Sequence, residues 1–184
     1  MALSVPAPYV RPATLSEALD ALADRDDLRL VVCGGTDVYP AYATRPIDRP
    51  MLDISRVDGL RGIRRLPDGG WRLGATTTWT DLAEATLLPP AFDGLRAAAR
   101  QVGGRQIQNA GTVAGNIVNA SPAADGTPNL LALDASIEVA SAARGVRVVP
   151  LSAFVTGYRE TDLAADELVT AVVVPAIHAA AASA

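Results

Sequence analysis

Apolar residues recur at helical spacing early in the chain. Leu15, Ala18, Leu19 and Leu22 share one face, and Thr14 with Glu17 has capping-box spacing, so a helix is predicted over 14–25. The run 28–32, Leu-Arg-Leu-Val-Val, is short and β-branched and breaks into Cys33-Gly34-Gly35-Thr36-Asp37, the pattern of a buried strand entering a glycine loop. A short helix over 38–43 and a strand over 51–54 follow. Helix, strand, glycine loop and strand in this order predict a small α/β unit.

The pattern changes near Asp58. Two strand-like runs, 60–66 and 71–75, flank Pro67-Asp68-Gly69-Gly70, which has the composition of a hairpin turn. Thr78 is placed to cap a segment containing Leu82 and Ala83, and 95–102 is predicted as an alanine-rich helix ending at Gly103-Gly104. The stretch 105–122 is rich in glycine, asparagine and threonine yet threaded with Ile107, Val113, Ile117 and Val118. It is too apolar for a linker and too polar for a helix core. Thr127-Pro128 has the cap-then-first-turn pattern of a helix through Leu133. A hairpin over 136–141 and 146–149, a short helix over 151–157 and a last strand over 168–174 complete the reading, before a low-complexity alanine tail expected to fray.

Composition narrows the chemistry. The 184 residues carry 16 basic and 20 acidic side chains, a formal charge of −4, and every basic residue is arginine. Without lysine there is no phosphate loop of the G-K-[ST] type, no Schiff base and no general-base ammonium. One cysteine, Cys33, and one histidine, His178, supply neither a soft-ligand metal cluster nor a hydrolase triad. No catalytic side-chain set and no metal site of the chain's own are expected, so chemistry here points to a bound cofactor. Arg61, Arg64 and Arg65 form the densest basic patch, read as a solvated strand edge, and mild acidity argues against nucleic acid as a partner. The start of the chain lacks a charged segment followed by an apolar run, no stretch reaches membrane-spanning length, and a lone cysteine fits a reducing compartment, so a cytoplasmic protein without a membrane partner is expected.

Two glycine loops remain: Gly34-Gly35-Thr36-Asp37 and Gly111-Thr112-Val113-Ala114-Gly115-Asn116. Glycine lets main-chain N–H groups converge on one point, which makes an anion nest without any cation. Either loop alone reads equally well as a tight turn, but a diphosphate held between them accounts for both. The segment that follows contains Asn119, Ser121 and Asp125. Its carboxylate suits a ribose or ribityl hydroxyl and Asn119 or Ser121 the polar edge of a ring; the alternative is that Ser121 and Asp125 satisfy local main-chain groups at a helix start.

These motifs carry a resemblance. Val32-Cys33-Gly34-Gly35-Thr36-Asp37, Thr112-Val113-Ala114-Gly115-Asn116-Ile117 and Asn119-Ala120-Ser121-Pro122-Ala123-Ala124-Asp125 resemble the three FAD-contacting segments of the FAD-binding subunit of molybdenum hydroxylases, the family of xanthine dehydrogenase and carbon monoxide dehydrogenase. The third segment is closer to the xanthine dehydrogenase branch. Gly74-Ala75-Thr76-Thr77-Thr78, Gln106-Ile107-Gln108-Asn109, Gly157-Tyr158-Arg159-Glu160-Thr161 and Asp166-Glu167-Leu168 match in order and spacing, from about Tyr9 to Pro175.

The resemblance implies an α+β FAD-binding fold of two subdomains. A small parallel α/β unit would span 1–57, a larger unit with a mainly antiparallel sheet and helices 58–175, and an alanine-rich tail 176–184 would stand where the family continues into a third domain. It implies that Val32, Cys33, Gly34, Gly35, Thr36, Asp37 and Val38, with Thr112, Val113, Ala114, Gly115 and Asn116, wrap the FAD diphosphate. Asp125 would hold a sugar or ribityl hydroxyl, and Val102 and Leu168 would be apolar walls. In such enzymes electrons leave a substrate at a molybdenum cofactor on another subunit, pass two iron–sulfur clusters and reach FAD, which reduces NAD or oxygen. The implied partners are therefore an iron–sulfur subunit and a molybdenum-cofactor subunit, with the chain an oxidoreductase component. Three positions depart from the family pattern: Cys33 where alanine or glycine is usual, Ala114 for a frequent glycine, and Gln108 for a common arginine. Without the third domain, weak binding or an exposed flavin ring is expected. A flavin-free assembly subunit and a stand-alone flavin oxidase are the alternatives.

Overall fold

The computed structural model describes residues 8–23 and 29–177. The end of the predicted first helix, the first residue of the 28–32 run and the tail from 178 lie outside the described residues.

The first part of the chain forms a three-stranded parallel sheet in the order β1-β3-β2, from β1 (Tyr9–Val10), β2 (Leu30–Val32) and β3 (Met51–Asp53). Helix α1 (Leu15–Ala23) starts as its sequence requires: the Glu17 N–H donates to Thr14 Oγ1 at 3.2 Å, and the Glu17 carboxylate accepts from the N–H groups of Ala13 and Thr14 at 2.9 and 3.1 Å. Those main-chain donors hold the carboxyl below its ordinary range. Ala18 and Leu22 of α1 meet Leu52, Ile54 and Val57 in a small core. That core is completed by Leu60 and Leu168, the second from more than a hundred residues downstream. A four-residue helix, α2 (Val38–Ala41), follows the first glycine loop.

The rest of the chain builds a five-stranded antiparallel sheet. Its strands are β4 (Ile63–Arg65), β5 (Trp71–Gly74), β6 (Ser136–Ser141), β7 (Gly145–Pro150) and β10 (Leu168–Val174), ordered β4-β5-β10-β6-β7. The last strand in sequence is the central one, seven residues almost wholly buried, apolar except for Thr170, whose hydroxyl donates to Glu138. On one face lie α3 (Trp79–Ala83), α4 (Asp93–Ala99), α5 (Arg105–Ala110), α6 (Val113–Val118), α7 (Gly126–Ala132) and α8 (Leu151–Phe154). Their apolar sides enclose a core of Leu73, Trp79, Phe92, Leu95, Ile117, Leu130, Ile137 and Phe154, with Trp71 set edge-on to Phe92 at 6.1 Å. Arg64 and Arg65 are exposed on edge strand β4, while Arg61 pairs with Asp81 at 2.9 Å.

Four expectations change. The stretch 105–122 holds two short helices; in the second Val113 and Ile117 are buried and Thr112 is the cap, so packing there overrides poor helix propensity. Helix α7 starts at Gly126 with Asp125 in the cap position, so Thr127 lies inside the first turn. Only Leu151–Phe154 of the 151–157 segment is helical, and β8 (Val155–Gly157) then pairs with β9 (Glu160–Thr161). Leu60 belongs to no strand; it is buried in the smaller core.

Candidate functional site

Strand β2 ends at the buried Val32 and the chain turns through Cys33, Gly34 and Gly35 into α2. Gly34 is required by contact with the second loop: a methyl group there would lie 1.8 Å from the Ala110 carbonyl oxygen. Gly35 is required by conformation, at φ +68°, and the Tyr39 ring lies where its side chain would be. The Tyr39 N–H donates to the Gly35 carbonyl at 2.9 Å. No group among the described residues accepts from the N–H groups of Gly34, Gly35, Thr36, Asp37 or Val38. Consecutive free donors around a left-handed residue are the makings of an anion nest.

The second loop is pinned to the segment before α3. Trp79 N–H donates to the Gly111 carbonyl at 3.2 Å and Val113 N–H to the Thr77 carbonyl at 3.0 Å. That segment is itself fixed by the reciprocal cap of Thr78 and Asp81. Thr112 Oγ1 then accepts from Gly115 N–H at 3.0 Å and starts α6. Ala114 lies within this helix and outside the positive-φ region, so its methyl group carries no strain. Gln108, buried, donates from Nε2 to the Arg100 carbonyl at 2.9 Å, a structural bond in place of the expected charge.

Between the loops opens a cavity of about 460 Å³, within the usual range of small-molecule and cofactor sites. Its third wall is the start of β10, Leu168 and Val169, with Leu163 and Glu167. This wall is tied down by ions. Arg147 donates twice to the Glu167 carboxylate at 2.8 and 2.7 Å, Arg144 lies 3.3 Å from it, and Ala164 N–H donates at 2.9 Å. The Arg147 bonds, ahead of burial, hold the Glu167 carboxyl down at about 2. On the opposite side the half-buried Cys33 thiol is pushed up to about 11 by burial and then by the Asp53 charge, so it stays protonated at neutral pH. Asp53 is buried, which raises its pKa, but bonds from Tyr9 and Ser55 and the Arg11 guanidinium at 3.2 Å more than offset this and hold it low.

Of the residues proposed from sequence, Val32, Cys33, Gly34, Gly35, Thr36, Asp37, Val38, Val102, Thr112, Ala114, Gly115, Asn116, Asn119 and Leu168 line this cavity. Val113 does not; its side chain is in the larger core. Ser121 accepts from Ala123 N–H at 3.3 Å, and Asp125 is exposed at the start of α7; neither lines the cavity. Trp79, Ile107, Leu163 and Glu167 were not foreseen as lining residues. Ile107 and Glu167 had a sequence signal, their places in the Gln106-Ile107-Gln108-Asn109 and Asp166-Glu167-Leu168 motifs.

The donor set matches a dinucleotide flavin. Free main-chain N–H groups suit a diphosphate, apolar walls suit stacked rings, and a glycine cradle admits close approach of the ligand. The buried Oδ1 of Asn116, in the lining, has no partner, an acceptor left for a ligand donor. No group of three or more His, Cys, Asp or Glu among the described residues is placed to hold a metal ion. No helix among them is long and apolar enough to cross a membrane.

Comparison with known proteins gives the same answer. Residues 3–177 match the family described as the FAD binding domain in molybdopterin dehydrogenase. The chain is 39% identical over 166 residues to the xanthine dehydrogenase FAD-binding subunit of Escherichia coli O157:H7, covering 90% of this chain and 56% of that one. It is 34% identical over 170 residues to the glyceraldehyde dehydrogenase medium chain of Sulfolobus acidocaldarius, covering 92% and 59%. Carbon monoxide dehydrogenase from Hydrogenophaga pseudoflava superposes with a TM-score of 0.85 at 26% identity, over 97% of this chain and 62% of that one. The chain thus spans little more than half the length of the curated relatives it matches. A two-part α+β fold, a cavity between two glycine loops and a match over nearly the whole sequence place this chain in the FAD-binding domain family of molybdopterin dehydrogenases.

Proposed function

We propose that the chain holds FAD as the flavin-bearing part of a molybdenum hydroxylase of the xanthine dehydrogenase type. In this reading it receives electrons from an iron–sulfur partner, fed by a molybdenum-cofactor partner, and passes them to NAD or oxygen. FAD, when bound, supplies a centre that takes electrons singly and releases them in pairs. The protein's own work is to bind and orient it. The N–H groups of 34–38 would hold the diphosphate with Thr36, Thr112 and Asn116, while Val102 and Leu168 would flank the rings. Asp125 would serve a sugar or ribityl hydroxyl and Ser121 the polar edge of a ring, both from outside the cavity lining. The division of the chain near Asp58 into two cofactor-binding units, with a tail from 176, and a cytoplasmic location belong to the same proposal.

One observation carries the reading: five consecutive N–H donors without an acceptor among the described residues lie in the lining of a largely apolar cavity. The experiment is direct. The purified chain, mixed with FAD and freed of excess, is expected to retain the visible absorption of a flavin at micromolar concentration. A colourless chain would overturn the cofactor role and leave assembly with partner subunits as the function.

A further inference from the structure

One side chain joins the first glycine loop to the β8–β9 turn. Asn119 Nδ2 donates to Asp37 Oδ1 at 3.0 Å, and Asn119 Oδ1 accepts from Arg159 at 2.9 Å. The three residues come from the first glycine loop, the end of α6 and the β8–β9 turn, 82 and 40 positions apart in sequence. Asp37 and Asn119 line the cavity, while Arg159 stands outside it.

The junction is held by more than this pair of bonds. Arg159 N–H donates to the Ala120 carbonyl at 3.0 Å, and both residues occupy the left-handed region, at φ 55° and 45°. Neither is glycine, so both are strained, and such strain persists where surrounding contacts enforce it. The Arg159 guanidinium also lies 5.9 Å from the centre of the Tyr158 ring, which limits its freedom before it meets Asn119.

Charge gives the arrangement a purpose. Asp37 puts a carboxylate at the mouth of an anion nest, where it would repel a diphosphate. Engaged by the Asn119 amide, that carboxylate has a donor of its own, and the loop it belongs to is tied to the far side of the site.

We propose that Asp37, Asn119 and Arg159 form a clasp across the cavity mouth that slows release of bound FAD, with Arg159 a positioning residue. The inference rests on FAD occupying the cavity. Both ends of the Asn119 amide serve the clasp, so its polarity can be reversed without breaking it. Asn119→Asp alone sets two carboxylates against each other. Asp37→Asn alone keeps an acceptor for Asn119. The double variant exchanges the two groups, and the carboxylate then at position 119 can accept both from the amide at position 37 and from Arg159.

The test measures FAD release by recovery of flavin fluorescence after dilution, with amide exchange at Tyr39 and Ala41, whose N–H groups are bonded to the Gly35 and Asp37 carbonyls, in the FAD-free chains as a second readout. Release is expected to be about tenfold faster in Asn119→Asp, within about twofold of wild type in Asp37→Asn, and within about threefold in the double variant. Exchange at Tyr39 and Ala41 should rise in Asn119→Asp and return in the double. If Asn119 instead touches FAD directly, the double variant stays as leaky as the single one, and the clasp is overturned. A wild-type chain that holds no FAD overturns the cofactor reading and the clasp with it. Should Asn119→Asp fail to fold by circular dichroism, Arg159→Gln decides: about threefold faster release supports the clasp and unchanged release removes it.

Discussion

The two glycine loops have similar composition but use their main chains in opposite ways. From 34 to 38 every N–H lacks a partner among the described residues. In the second loop Gly111, Val113, Gly115 and Asn116 all donate within the protein, to Ile107, Thr77, Thr112 Oγ1 and the Thr112 carbonyl. The first loop therefore offers a run of five donors to a ligand, while the second, where only the N–H groups of Thr112 and Ala114 lack an acceptor among the described residues, is mainly a scaffold against which the first is placed. Glycine has a different task in each. Gly34 and Gly35 are forced by backbone contact and by left-handed conformation; Gly115 lies in ordinary helix and meets only a hydroxyl.

The strongest way to break this comparison is Gly34→Ala. A methyl group 1.8 Å from the Ala110 carbonyl oxygen cannot be accommodated by a side-chain rotation, since both partners are main chain. The loops must separate. A loss on the order of 3 kcal/mol in urea unfolding and at least about a hundredfold in FAD affinity are expected. Near-native values in both would show that the loops are not held in contact. Gly35→Ala comes next. It adds strain at φ +68° and displaces the Tyr39 ring, but that ring is 55% exposed and can swing away. About 2 kcal/mol and roughly tenfold in FAD affinity are expected, with Tyr39→Ala in the same chain recovering part of both.

Much of this was legible in the sequence, and what was missed has a common cause. The Thr14–Glu17 cap, the strand entering a glycine loop, the hairpins and the largely apolar β10 are local patterns, and each reappears in the structure, though only Val32 of that first strand is buried. The contact of Gly34 with Ala110 spans 76 positions, and no local pattern announces it. Helix α6 was missed because glycine, asparagine and valine give little helix propensity, and burial of Val113 and Ile117 supplies what propensity lacks. The site was legible where main chain makes it, at the two loops. It was not legible where distant side chains make it, as at Leu163 or at the Asn119 bridge.

Acid tests the wall facing the loops. The Glu167 carboxyl is held at about 2 against an ordinary 4.5, so its ion pairs stabilise the fold fully above the higher value and are lost as pH falls toward the lower. Arg144 and Arg147 are 46% and 38% exposed, which screens the pairs and keeps the expected loss on the order of 1.5 kcal/mol. Urea midpoints at pH 5.5 and pH 3 should converge more in Glu167→Gln than in wild type. An equal drop in both would assign the acid sensitivity to other carboxylates.

Gly115→Ala is the smallest change and the sharpest control on the comparison. Alanine inside a helix gains up to about 1 kcal/mol over glycine. Its methyl group would lie 2.8 Å from Thr112 Oγ1, the atom that caps the same helix, and disturbing that cap costs about as much. The two effects oppose each other, so stability should stay within about 0.5 kcal/mol. If the second loop is scaffold, FAD affinity should also stay within about threefold. Thr112→Ala in the same chain removes the close contact along with the cap, which tests whether the opposition has been assigned correctly. A loss in FAD affinity as large as that at Gly35 would mean that ligand passes as closely over Gly115 as over the first loop, and the division of labour between the loops would fail.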